Sequence, residues 1–281
     1  MNVAVIGAGT MGHGIAQVAA AAGMDVVLHD TDGSRLEEAL ECVRANLDGG
    51  VAKGKVTAAS REETLAHLGT EADLARAVAG AALVVEAVPE DLDLKHEVFQ
   101  AVERHAVEGA VFATNTSSLP VEQIARVLRR PGRLVGMHFF NPVHLMPLLE
   151  IVRAEFTSED AVETALRIGR LLGKQCIVVH DAPGFATSRL GVVLGMEAIR
   201  MVEQGVASPE DIDKAMTLGY RHPVGPLRLT DIVGLDVRLA IAAHLHRALE
   251  SEAFRPPDLL RRMVREGKLG RKSGEGFYRW E

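Results

Sequence analysis

Short aliphatic runs alternate with amphipathic stretches through the first half of the chain. Strands are predicted at 3–6, 26–29, 83–86, 111–114 and 134–137. Each run is β-branched or aliphatic without polar alternation, the character of a parallel sheet covered on both faces. Helical spacing fills the intervals at 12–22, 33–47, 91–106 and 120–128, and the theme continues with a strand at 148–152, a helix over 158–172 and a strand at 176–179. Strands alternating with helices predict an α/β fold with a doubly wound, mostly parallel sheet.

The pattern changes after Asp181-Ala182-Pro183-Gly184. Beyond it no strand is predicted, and one helix signal follows another. The first runs from 185 to Gly205, a glycine suited to a helix stop. Ser208-Pro209-Glu210-Asp211 then supplies an N-cap, a proline at the first helical position and acids in the first turn. Pro223-Val224-Gly225-Pro226 breaks that unit, and helices are predicted around 235–249 and 257–266. The expected organisation is a sheet domain over 1–183 and an all-helical domain over 184–281.

Composition narrows the function. The 281 residues are 47% hydrophobic and 25% charged, enough for a large core, and the net charge of -7 without a basic stripe argues against a nucleic-acid surface. No apolar run approaches the roughly 20 residues a membrane span needs, so no membrane partner is expected. No charged and apolar leader with a cleavage site precedes the first predicted strand, which makes cytoplasm the default location. Cys42 and Cys176 lie among aliphatic neighbours without metal-type spacing and read as reduced core residues. The histidines, His244 and His246 included, form no metal-ligand pattern, so no metal is expected.

Two motifs carry chemistry. Gly7-Ala8-Gly9-Thr10-Met11-Gly12 follows a predicted strand and opens a predicted helix. Gly7 allows the tight turn, Gly9 lets the backbone approach a pyrophosphate, and Gly12 permits close helix–strand packing. Amides at the helix start then face the phosphates. Asp30, eighteen residues beyond Gly12, is placed to bind ribose hydroxyls and to repel a 2′-phosphate, which favours NAD over NADP, although Arg35 lies close by in sequence. The second motif is His138 with Glu150, which bracket a largely apolar segment. An imidazole oriented by a carboxylate can move a proton near neutral pH. Asn115, Ser117, His138 and Asn141 all follow predicted strands, and in an open parallel sheet strand carboxyl ends line the ligand crevice.

Asn115-Thr116-Ser117-Ser118, His138-Phe139-Phe140-Asn141-Pro142 and Glu150 resemble the L-3-hydroxyacyl-CoA dehydrogenase family, bacterial 3-hydroxybutyryl-CoA dehydrogenases in particular. Similar stretches are Glu86-Ala87-Val88-Pro89-Glu90, Asp181-Ala182-Pro183-Gly184-Phe185, Glu210-Asp211-Ile212-Asp213-Lys214-Ala215-Met216 and the tail over 270–278. The resemblance implies a Rossmann-type domain followed by a helical substrate domain that also forms a homodimer. It implies NAD as cofactor and reversible oxidation of a short-chain L-3-hydroxyacyl-CoA to the 3-oxoacyl-CoA, within fatty acid metabolism or a related pathway. By it His138 is the acid/base, Glu150 its orienting partner, and Ser117 a hydrogen-bond donor to the substrate's 3-oxygen. Asn115 and Asn141 fall near the nicotinamide ribose and the reacting centre, while Glu90, Lys95 and Lys272 contact the cofactor. Lys53 and Lys55 fall where family members place groups near CoA phosphates.

Two positions depart from the family pattern. Ser188 stands where the family often has Asn, with a shorter reach toward substrate, and Pro147 replaces a Lys of some relatives. His144 fits no family role. The alternatives to an acyl-CoA enzyme are a histidine-dependent dehydrogenase of a free 3-hydroxy acid or sugar acid, and a non-catalytic NAD-binding protein. A lysine-dependent hydroxy-acid enzyme is disfavoured, because residues 189–202 contain no Lys.

Overall fold

The computed structural model describes residues 1–280 and divides into two units, Met1–Ala182 and Pro183–Glu281. The first unit opens with β1 (Asn2–Ile6), α1 (Thr10–Ala21), β2 (Asp25–His29), α2 (Gly33–Ala52), α3 (Ala58–Ala66), β3 (Leu68–Glu71) and α4 (Leu74–Val78). It continues through β4 (Leu83–Glu86), α5 (Leu92–His105), β5 (Val111–Thr114), α6 (Val121–Ala125), β6 (Leu134–Phe139), β7 (Leu148–Arg153), α7 (Glu159–Leu171) and β8 (Gln175–His180). The eight strands form one sheet in the order β3-β2-β1-β4-β5-β6-β7-β8. The six strands from β3 to β6 in that order are mutually parallel, whereas β7 pairs antiparallel with β6, and β8 follows β7.

The aliphatic runs behave as a two-sided buried sheet requires. Val3, Ala4, Val5 and Ile6 of β1 and all four residues of β4 are buried, so alternation is absent where both faces are covered. Helix starts are set by short polar side chains. Asp91 accepts from the Leu94 amide ahead of α5 and Ser158 from the Ala161 amide ahead of α7, each contribution worth about 1 kcal/mol.

Three predictions for this unit change. β7 runs antiparallel, because the short 140–147 connection returns the chain beside β6 rather than crossing over a helix. β6 extends through Phe139, so His138 lies inside the strand instead of following it. Cys42 is exposed on α2 and is not a core residue; Cys176 is half-buried, and both are free thiols.

The second unit holds α8 (Thr187–Glu203), α9 (Pro209–Lys214), α10 (Pro226–Val233), α11 (Leu235–Leu249) and α12 (Asp258–Arg265). Its core includes Val192, Met196 and Ile199 of α8 with Leu227, Leu235, Leu245 and Leu260. Asp231 ties the tail into this core. Its buried carboxylate accepts from the Phe277 and Tyr278 amides, both at 2.9 Å, and from Trp280 Nε1 at 2.8 Å. Gly276 is required for that approach, since a Cβ there would stand 2.3 Å from Asp231 Oδ1. No helix is long and apolar enough to cross a membrane among the described residues.

Candidate active site

β1 ends where the sheet order reverses, with β2 and β3 on one side and β4 on the other. This switch point is the usual ligand crevice of an open parallel sheet. Gly7 has φ +102°, and a Cβ there would lie 2.8 Å from the Ala87 carbonyl oxygen. A Cβ at Gly12 would fall 1.7 Å from the Gly7 carbonyl oxygen, so α1 can start this close to β1 only without a side chain. Around Gly9 nothing stands within 4 Å of the same position, which leaves the backbone face open. Gly9 caps α1 without a side-chain hydrogen bond, so the Thr10 and Met11 amides keep the unmet N–H character of a helix start, a ready seat for a phosphate.

Asp30 is fixed to this turn. Its Oδ2 accepts from the Ala8 amide at 2.9 Å and its Oδ1 from the Asp32 amide at 3.1 Å. A cavity of about 470 Å3 is lined by Gly7, Gly9, Thr10, Met11, Asp30 and Arg35, among others. An open glycine backbone, helix-start amides and a tethered carboxylate fit the phosphates and ribose of a dinucleotide.

Glu90 and Lys95 do not line that cavity; they organise the neighbouring turn. Lys95 is 1% exposed, and its Nζ donates to Glu86 Oε1 at 2.6 Å and sits 3.5 Å from Glu90 Oε2. Glu86 also accepts from Thr114 Oγ1 at 2.7 Å and the Val88 amide at 2.8 Å. Burial pushes the Glu86 carboxyl above the usual range, with Lys95 and these donors acting in the opposite direction. Glu90 receives Thr116 Oγ1 at 2.7 Å and the Ser117 and Ser118 amides at 2.9 Å each. Burial acts most strongly on Glu90 and raises its carboxyl, but Lys95 and the donated hydrogen bonds together hold it below the ordinary value. Ser117 is thereby placed by Glu90, with its Oγ 3.4 Å from the carboxylate.

His138 and Glu150 face each other in register across β6 and β7. Directly opposed residues share a sheet face, which makes the twelve-residue separation a lateral contact. His138 Nδ1 lies 2.7 Å from Glu150 Oε2, both side chains being buried. A carboxylate only accepts hydrogen bonds, so Glu150 selects the tautomer with the proton on Nδ1 and the lone pair on Nε2. The Phe140 ring stands 4.5 Å from the imidazole, centroid to centroid, as an apolar neighbour. Asn115 secures the same strand end, its Oδ1 accepting from the Phe139 amide at 2.9 Å.

The remaining expected residues are distributed as follows. Asn141 is exposed just after β6. Lys53 caps the end of α2 and, with Lys55 and His144, lines a second cavity of about 830 Å3 whose walls carry no carboxylate. Ser188 is half-buried in the first turn of α8, and Lys272 donates to Asp236 Oδ2 at 2.6 Å in the helical unit. Two side chains escaped the sequence reading. Glu86 is the buried partner of Lys95; its signal was a charge ending an otherwise aliphatic strand. Lys174 donates to the Val143 and Met146 carbonyl oxygens and so clamps the 140–147 connection; a lone lysine after a helix offered no such signal.

The chain matches two family models, the NAD binding domain of 3-hydroxyacyl-CoA dehydrogenase over residues 2–182 and its C-terminal domain over 184–280. It is 42% identical over 279 residues to a 3-hydroxybutyryl-CoA dehydrogenase of Mycobacterium tuberculosis, covering 99% of this chain and 97% of that one. The rat mitochondrial hydroxyacyl-coenzyme A dehydrogenase is 42% identical over 287 residues, covering 100% of this chain and 91% of the relative. Among solved structures, an (S)-3-hydroxybutyryl-CoA dehydrogenase from Ralstonia eutropha superposes with a TM-score of 0.96 at 37% identity, covering 100% and 99% of the two chains. With the switch-point crevice, the histidine–carboxylate pair and full-length similarity in agreement, the chain belongs to the 3-hydroxyacyl-CoA dehydrogenase family.

Proposed function

We propose that the protein oxidises L-3-hydroxyacyl-CoA thioesters of short chain, 3-hydroxybutyryl-CoA among them, to 3-oxoacyl-CoA, and runs the reverse reduction. The Gly7–Gly12 turn and Asp30 would hold NAD, which would serve as the hydride acceptor. As the C3 hydride leaves the substrate, His138 Nε2 takes the hydroxyl proton, and Glu150 stabilises the resulting imidazolium through Nδ1. Ser117 and Asn141 hold the 3-oxygen and the reacting centre, and Asn115 keeps the end of β6 in place beside them. Glu90, supported by Lys95, sets the turn that carries Ser117.

The observation that carries this reading is the His138–Glu150 pair held in strand register. The carboxylate-free cavity with Lys53 and Lys55 supports CoA as the carrier, since it offers cations and no repelling charge to the phosphates. The exposed Leu190, Ile232 and Val237 of the helical unit support a homodimer formed through that unit. A cytoplasmic enzyme of acyl-CoA metabolism accords with the reduced cysteines.

NADH oxidation tests the proposal, comparing acetoacetyl-CoA with free acetoacetate and then 3-oxoacyl-CoAs from C4 to C16. Preference for the C4 thioester over the free acid by orders of magnitude is expected. Equal use of the free acid would assign the protein to free hydroxy-acid chemistry, and binding of NADH without turnover would remove the catalytic reading.

A further inference from the structure

Lys174 is a buried ammonium held by backbone alone. It stands between α7 and β8, is 9% exposed, and its Nζ donates to the Val143 and Met146 carbonyl oxygens, the second at 2.8 Å. No carboxylate pairs with it among the described residues, and burial alone lowers its pKa. Desolvating an ammonium is costly unless hydrogen bonds compensate, so the two carbonyl bonds are what offset its burial.

The connection it holds is pinned along its length and has two ends of different character. Val143 is buried against α1, where a Cβ at Gly14 would stand 2.8 Å from Val143 Cγ2. The Leu145 and Met146 amides both donate to the Pro142 carbonyl oxygen at 3.0 Å, and the Gln175 amide donates to that of Pro147 at 2.7 Å. At the start of the segment the Phe140 ring lies against His138, 4.5 Å between centroids. Further on, His144 and Leu145 line the cavity of about 830 Å3 that also carries Lys53 and Lys55. A close-packed segment transmits displacement from one end to the other.

We propose that Lys174 is a positioning residue that couples the two ends of this connection, so that CoA in the Lys53–Lys55 cavity sets Phe140 against the His138 imidazole. This rests on the reading of the protein as an acyl-CoA dehydrogenase. The carrier end of such a substrate does not react, and its binding energy raises the rate only where the protein turns it into alignment at the reacting centre. A misplacement of about 1 Å there costs on the order of 10^2-fold. Without the ammonium the carrier still binds, but its position is no longer passed to the ring.

The experiment compares acetoacetyl-CoA with acetoacetyl-N-acetylcysteamine, which presents the same acyl group without the nucleotide and most of the pantetheine arm. The quantity read is the ratio of first-turnover rates of bound NADH, each extrapolated to saturating thioester, so folded fraction and product release both drop out. The wild-type ratio is expected to favour the CoA thioester about 10-fold or more. Lys174→Met, similar in length but without donors, is expected to bring the ratio within about threefold of one, with the half-saturating concentration of acetoacetyl-CoA changing less than the rate. Lys174→Gln serves if the methionine variant does not fold, with the ratio again falling. A wild-type ratio near one, or a ratio unmoved by substitution, overturns the coupling. So does a loss carried by half-saturation alone, because the lysine would then only shape the cavity. If acetoacetyl-CoA is not reduced at all, the family reaction fails, a result distinct from turnover with an unmoved ratio.

Discussion

Two glutamates lie wholly buried in the same sheet, and their partners separate structure from chemistry. Glu86, at the end of β4, meets the Lys95 ammonium and two further donors. Glu150, in β7, meets the His138 imidazole, a ring with two nitrogens that can carry a proton. Both side chains are 0% exposed. The first arrangement satisfies its charge once and then holds β4, α5 and the Ser117 turn together. The second orients the ring proposed to carry the reaction's proton.

Removing the titratable partner is expected to have the largest effect. His138→Gln lowers kcat for acetoacetyl-CoA reduction about 10^3- to 10^4-fold while the chain still folds and binds NADH, measured by steady-state rates and fluorescence titration. Glu86→Gln inverts that profile. It takes from the buried Lys95 ammonium its nearer carboxylate, leaving only Glu90 at 3.5 Å, and costs about 3 kcal/mol in denaturant unfolding, with the rate per folded molecule falling far less than for His138→Gln. Equal loss of stability in the two variants would erase the distinction between them.

A third buried carboxylate sharpens the contrast. Asp231 is held by three neutral N–H donors, neither a cation nor a titratable ring. Asp231→Asn leaves some of those donors unmet and costs about 1–3 kcal/mol, read as a lower thermal midpoint. The smallest effect belongs to Glu90, which is partly open to solvent. Its carboxyl is held below 4.5 in the folded chain, so it binds protons more weakly there than when unfolded. Its stabilisation is therefore complete above pH 4.5 and is lost as the pH falls through the lowered value. Glu90→Gln should flatten that part of the acid-unfolding profile, and an unchanged profile would remove Glu90 from the account.

Much of this was legible in the chain because its cues are local. The aliphatic runs of β1, β2, β4 and β5 and the glycine turn all appear within short windows, and Ser208-Pro209 does mark the start of α9. β3 was not legible, since Leu68–Glu71 is short, contains Gly69 and is only partly buried at an edge. α10 was hidden because Gly225-Pro226 reads equally as a break and as a helix start; Pro226 is in fact its first residue. Register is the deeper omission. The sequence places His138 and Glu150 twelve positions apart, yet only the antiparallel return of β7 makes them neighbours.

The central claim is that Glu150 acts through the His138 tautomer rather than as scaffold. The direct measurement is kcat of Glu150→Gln with acetoacetyl-CoA and NADH, alongside its NADH affinity and thermal midpoint. The account predicts a loss of about 10^3-fold or more in kcat with NADH affinity kept within a few-fold and the fold retained. Turnover within threefold of wild type would contradict it.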